Sequence, residues 1–190
     1  MKRWDWHVGI GIGVFGLSVL VALPLWGGGP EGGAKPMTAT APKPGAAEME
    51  KLNFYLGKWD YTETYGKNGG KNTGLYTSKL GPGGNSLVQT FHSQGPVRDF
   101  EGLLVMTWDL REKAYKAYVF GNELPGCVVE TGRFEGDALV YRGELSMGDT
   151  KVALRNTTRN PAPGKIVSEE YVSTNGSPEK LLVRVEATKR

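Results

Sequence analysis

From Lys58 to the C-terminus, apolar and polar positions alternate in short runs, the period of strands that bury one face. The runs are broken by "GKNGG", "GPGGN", "QGP", "DLRE", "NELPG", "EGD", "GD", "NPAPG" and "NGSP". Nine such breaks imply about ten strands, and connections this short join antiparallel neighbours. With no helices interleaved, the strands suit a sheet closed on itself, which removes its edges. Just upstream, Met49, Leu52 and Leu56 in "AAEMEKLNFYL" stand near helical spacing. They predict a short helix from about Ala47 to Tyr55, ended by Gly57. The predicted fold is all-β: an up-and-down antiparallel barrel of about ten strands with a short N-terminal helix.

Two hairpins fix the faces. If Gly136-Asp137 is a two-residue turn, Phe134 faces Leu139, Gly132 faces Tyr141, Glu130 faces Gly143 and Val128 faces Leu145. The opposite face then holds Val129, Thr131, Arg133, Val140, Arg142 and Glu144, a dry side against a wet one. A four-residue loop in "WDLREKAY" likewise puts Phe100, Gly102, Leu104, Met106 and Trp108 on one face with Tyr115, Ala117 and Val119. Leu103 and Val105 fall outside and predict an outer apolar strip. Gly102, Gly132 and Gly143 fall inside, where a missing side chain leaves room or lets a strand bend. A barrel of about ten strands is wide enough for one small ligand. Gly57 then ends the helix and Trp59 enters the first strand pointing inward, sealing one end, with Tyr61, Glu63 and Tyr65 on its side.

The N-terminus is different. Lys2 and Arg3 precede an uncharged apolar run from Val8 to Trp26, the pattern of a secretory signal or a membrane anchor. Residues 27–46 are rich in Gly, Pro, Ala and Thr and read as a flexible linker. The expected organisation is a signal or anchor at 1–26, a linker at 27–46 and the barrel at 47–190. The expected location is outside the cytoplasm, periplasmic or secreted, either released or held at the inner membrane by residues 8–26. Small residues at Gly32-Gly33-Ala34 offer a cleavage site, and Ala39-Thr40-Ala41 a second one that Pro42 just after the cut disfavours.

Net charge of +3 without a dense Lys/Arg block gives no footing to a nucleic-acid partner, and only the N-terminal segment points to a membrane. The single cysteine, Cys127, rules out an intramolecular disulfide and reads as a small buried hydrophobe. Gly11-Ile12-Gly13-Val14-Phe15-Gly16 spells a dinucleotide fingerprint, but inside the apolar run it lacks the flanking strand and helix that fingerprint needs.

"LNFYLGKWDY", "GLLVMTWDLREKAYKAYVFG" and "TGRFEGDALVYRGEL" carry a resemblance to the calycin-like barrels (lipocalins, fatty-acid-binding proteins, nitrobindin-like barrels), which share a Gly-x-Trp near the first strand. The chain also resembles, over about residues 48–190, a family of exported bacterial barrels known as domain of unknown function 1579. The resemblance implies a barrel and no established activity. In lipocalins an arginine of the last strand packs over the Trp; Arg184 is the nearest match, but it alternates out of phase with Leu181, Val183 and Val185. Nitrobindin-like barrels hold haem through a histidine near the C-terminus. Here the barrel's one histidine is His92, expected to face solvent or a hydrogen-bond partner.

Neither a metal-ligand spacing nor a Ser-His-Asp order occurs, so no metal, cofactor or catalytic residue is assigned. Glu130 is the polar residue of most interest, because the hairpin register turns it inward. Its bland role is a carboxylate held by Arg155, Arg184 or a tyrosine hydroxyl. Glu169 and Glu170 must split between two faces. The expected function is capture of a small, largely apolar molecule by Trp59, Tyr61, Leu104, Met106, Trp108, Glu130 and Tyr141. Two alternatives stay open. One is an enzyme on the same barrel, favoured if a perturbed inward carboxylate lies beside open space. The other is a filled barrel whose outer strip binds a partner, a second copy of the chain included.

Overall fold

Gly57 turns the chain from helix to strand. Its φ of 118° belongs to a conformation that side chains disfavour, and it opens the first strand two residues before Trp59. The computed structural model describes residues 45–190 apart from 67, 68 and 125. The N-terminal apolar segment and the linker up to residue 44 lie outside the described residues. Helix α1 covers Ala46–Glu50 and is followed by one 3-10 turn, Asn53–Tyr55, where the spacing predicts a single helix. The tighter turn has a packing reason. It eclipses positions three apart, so Leu52 and Tyr55 can both point at the barrel, and they are 0% and 7% exposed.

Ten strands follow: β1 Gly57–Tyr65, β2 Lys71–Leu80, β3 Ser86–Gln94, β4 Phe100–Asp109, β5 Ala114–Gly121, β6 Val128–Glu135, β7 Ala138–Met147, β8 Thr150–Ala162, β9 Lys165–Thr174 and β10 Lys180–Lys189. Each pairs antiparallel with its neighbour in sequence, and β1 pairs with β10 to close the barrel. The register matches the alternation. Phe134, Gly132 and Glu130 face Leu139, Tyr141 and Gly143 around a turn at Gly136, whose φ is 64°. Trp108, Met106 and Leu104 face Tyr115, Ala117 and Val119. The β6–β7 ladder stops at Glu130 and Gly143 and does not extend to the expected Val128–Leu145 pair; on its other edge Val128 pairs with Val119 of β5.

Three details differ from the sequence reading. Val140, on the outer face between Arg133 and Thr157, is buried, so that face is not wholly wet. Cys127 is exposed, because it lies in the loop just before β6 and not in a strand. The inner-wall glycines do not leave open room: neighbouring side chains lie across them. A Cβ on Gly132 would meet the Tyr141 ring at 2.5 Å, one on Gly102 would meet Phe91 at 2.5 Å, and one on Gly143 would meet Cγ of Glu130 at 2.8 Å. Each contact comes from the glycine's direct partner across the ladder, whose side chain leans over the place a Cβ would take. Gly132→Ala is therefore expected to cost about 1–3 kcal/mol in urea unfolding, because the buried Tyr141 ring must move.

Candidate functional site

The lower end of the barrel is closed by packed aromatics. Trp59 is 1% exposed, its Nε1 donates to the Tyr55 carbonyl at 2.8 Å, and its ring stacks on Tyr76 at 5.6 Å. Met49, Leu52, Leu87, Met106, Tyr115 and Leu139 pack with it. The Tyr115 hydroxyl donates to the Glu48 carbonyl at 2.9 Å and ties α1 to β5. Trp108 meets Tyr115 edge-on at 4.9 Å and lies against Gly45, at the helix end. Lys189 sits over the Trp59 ring, with Nζ 5.8 Å from its centre. Lys189 alternates in phase with Val185 and Ala187, whereas Arg184 faces outward to Glu169 and Glu186. The last-strand cation over the Trp is thus a lysine, visible in the sequence by its phase.

Following the ladders with their stagger, a layer of inward residues stands above this floor: Tyr61, Phe91, Leu104, Val119, Glu130 and Val185. Asn156, Ser168 and Glu170 complete it on β8 and β9. Phe91, Leu104, Val119, Asn156, Ser168, Glu170 and Val185 lie mid-strand on the inner wall, yet each keeps partial exposure. Solvent thus reaches inner-wall atoms above a floor that it does not reach. Of the residues chosen from sequence, Tyr61, Leu104 and Glu130 belong to this layer, and Tyr141 stands on the inner wall one row lower, opposite Gly132. Trp59 and Met106 form the floor directly beneath, and Trp108 lies below that, beside the helix.

The inner wall is acidic, with Glu63, Glu130 and Glu170 on it. Glu63 is buried and receives the hydroxyls of Tyr65 at 2.5 Å and Ser93 at 2.8 Å. Tyr65 in turn accepts from Arg98 Nε at 2.8 Å, and burial together with Glu63 pushes its phenol up to about 12. Arg98 is held over the rim because Asn72 Nδ2 donates to its carbonyl at 2.9 Å, and its guanidinium covers the Phe100 ring at 4.1 Å. Glu130 is 9% exposed and accepts no hydrogen bond among the described residues. Burial first, and the Glu170 charge second, push its carboxyl up to about 7. Glu170 is raised too, by burial first, with Arg98 opposing and Glu63 adding. The arginines named as partners for Glu130 are engaged outside: Arg155 with Glu179, Arg184 with Glu169. The hydroxyls of Tyr76 and Tyr141 are buried without a partner, and burial raises both phenols, so they stay neutral.

Glu63 was legible as an inward residue by its alternation with Trp59. Glu170 was not chosen, although two adjacent carboxylates on a strand guarantee that one faces in; Glu169 takes the outer side with Arg184 and Tyr171. His92 faces out and pairs with Asp99 at 2.7 Å. The outer strip is present as well. Leu103 is half-buried beside exposed Phe120 and Leu75, along a groove of about 700 Å³.

Fold and site together define a closed ten-stranded barrel with a sealed floor and acidic and aromatic side chains on the inner wall above it. No protein-family model matches the chain. No curated protein matches it. Among solved structures it is similar to an S-type phycobiliprotein lyase from Guillardia theta, at 10% identity over 74% of this chain and 91% of that one, with a TM-score of 0.49. A likeness of that degree carries no property of the lyase over to this chain.

Proposed function

We propose that this chain is an exported or membrane-tethered barrel that binds a small, largely apolar molecule in its lumen. The supporting observation is the partial exposure of the mid-strand inner wall above a floor that solvent does not reach. Aliphatic and aromatic walls supply burial, and unpaired polar groups orient the guest. Export rests on Lys2, Arg3 and the uncharged run from Val8 to Trp26. Kinship with the calycin-like barrels and with domain of unknown function 1579 is part of the same proposal and rests on the stretches "LNFYLGKWDY", "GLLVMTWDLREKAYKAYVFG" and "TGRFEGDALVYRGEL".

A second reading has one observation in its favour: a carboxyl raised to about 7, beside a solvent-reached space, suits a general acid or base. Binding ranks first because no described residue hydrogen-bonds Glu130 to orient it. Native mass spectrometry of the full chain tests the first reading. A small molecule that co-purifies and leaves on denaturation is the expected result. A bare chain mass, together with unchanged tryptophan fluorescence on adding the neutral probe N-phenyl-1-naphthylamine, contradicts it.

A further inference from the structure

The lumen holds more negative than positive groups. Of its carboxylates, Glu63 is satisfied by Tyr65 and Ser93. Glu130 and Glu170 accept no hydrogen bond among the described residues. The nearest cation, Arg98, is committed to Tyr65, the Phe100 ring and Glu123. Glu130 has its side chain laid across Gly143, toward β7 and β8, and faces Glu170 from β9 and the phenols of Tyr55 and Tyr141. Glu170 faces Glu63 and Arg98. Independently of the acids, the buried hydroxyls of Tyr76 and Tyr141 have no partner. Each retains a lone pair that can take an N–H.

Resting on the binding reading above, we propose that the lumen's preferred guest is an organic cation: a protonated amine on an apolar body. Its ammonium lies between Glu130 and Glu170, and its body lies along Phe91, Leu104 and Val185. A cation allows both carboxylates to ionise without repelling each other and gives the orphan Tyr141 hydroxyl, which faces Glu130, a donor. The surrounding aromatic faces attract it further. An anion would be repelled, and a neutral guest would leave both acids protonated. The carboxylates do not converge into a metal-ligand set among the described residues, so the charge is best supplied by a molecule that spans them.

Isothermal titration of the full chain with 3-phenylpropylammonium, 3-phenyl-1-propanol and 3-phenylpropanoate tests this at matched size. At pH 8 the amine should bind at least tenfold more tightly than the alcohol, and the acid most weakly. Between pH 6 and pH 8 the amine's Kd should fall about tenfold with proton release, while the alcohol's stays level. Glu130→Gln combined with Glu170→Gln should remove the amine's advantage, so that amine and alcohol bind that variant equally. Alcohol or acid binding as tightly as the amine overturns the cation and spares the binding reading, as does an amine preference that persists in the double variant. Binding of none of the three overturns both.

Discussion

Truncating Trp59 to alanine is expected to cost about 3–5 kcal/mol of unfolding free energy, the range for a buried indole replaced by a cavity. The expectation follows from three contacts made at once. The ring is 1% exposed, it stacks on Tyr76 at 5.6 Å, and its N–H closes on the Tyr55 carbonyl at 2.8 Å. That last bond fastens the 3-10 turn to the barrel end, so the variant should also loosen the cap formed by Met49, Leu52 and Tyr55. Trp59→Phe separates the parts. It keeps a ring on the floor but leaves the Tyr55 carbonyl without its donor, and should cost less than the alanine variant. Urea titrations of both variants, with amide exchange over residues 46–56, check the order. Equal and small losses would mean that the indole seals nothing.

Replacing Glu130 by glutamine should stabilise the ligand-free barrel by about 3 kcal/mol at pH 8 and change it little at pH 5. In the folded chain the carboxyl is raised from 4.5 to about 7, chiefly by burial. At about 1.4 kcal/mol per pH unit, that difference disfavours the ionised folded form by about 3 kcal/mol. The sign is set by proton binding. Between those values the folded state keeps a proton that the unfolded state releases, so wild-type stability falls as pH rises from 4.5 through 7 and then levels. Glutamine cannot ionise, and its curve should lack that part of the fall. Denaturation midpoints of the two proteins at pH 5, 6, 7 and 8 show it directly. Parallel curves would mean that Glu130 is ionised and paired in the native barrel.

These expectations draw on parts of the fold that were unequally visible in the sequence. The closed meander was legible because turn signals recur and each run alternates. The two-residue turn at Gly136-Asp137 fixed which way Glu130, Gly132, Leu139 and Tyr141 point. The four-residue loop at 110–113 did the same for Leu104 and Met106. Alternation says which face a residue takes, but not how far its side chain reaches along that face. For that reason Gly102, Gly132 and Gly143 read as room, whereas Phe91, Tyr141 and Glu130 lie across them. The barrel's stagger was equally hidden. It sets Trp108 against the helix end while Leu104, four residues earlier, looks into the lumen. Glu170 escaped notice because its partner in charge, Glu130, lies three strands away around the wall. Cys127 read as buried from its residue type alone, which does not see that it lies in the loop before β6, where it is exposed.

The central claim is that the guest enters the barrel and does not settle on the outer strip. Methyl-labelled NMR of the chain titrated with N-phenyl-1-naphthylamine tests it most directly, because the two surfaces interleave along the same strands. Shifts concentrated at Leu104, Val119 and Val185 are the predicted result. Shifts at Leu103, Val105 and Val129, with the inner-wall methyls unmoved, would contradict it.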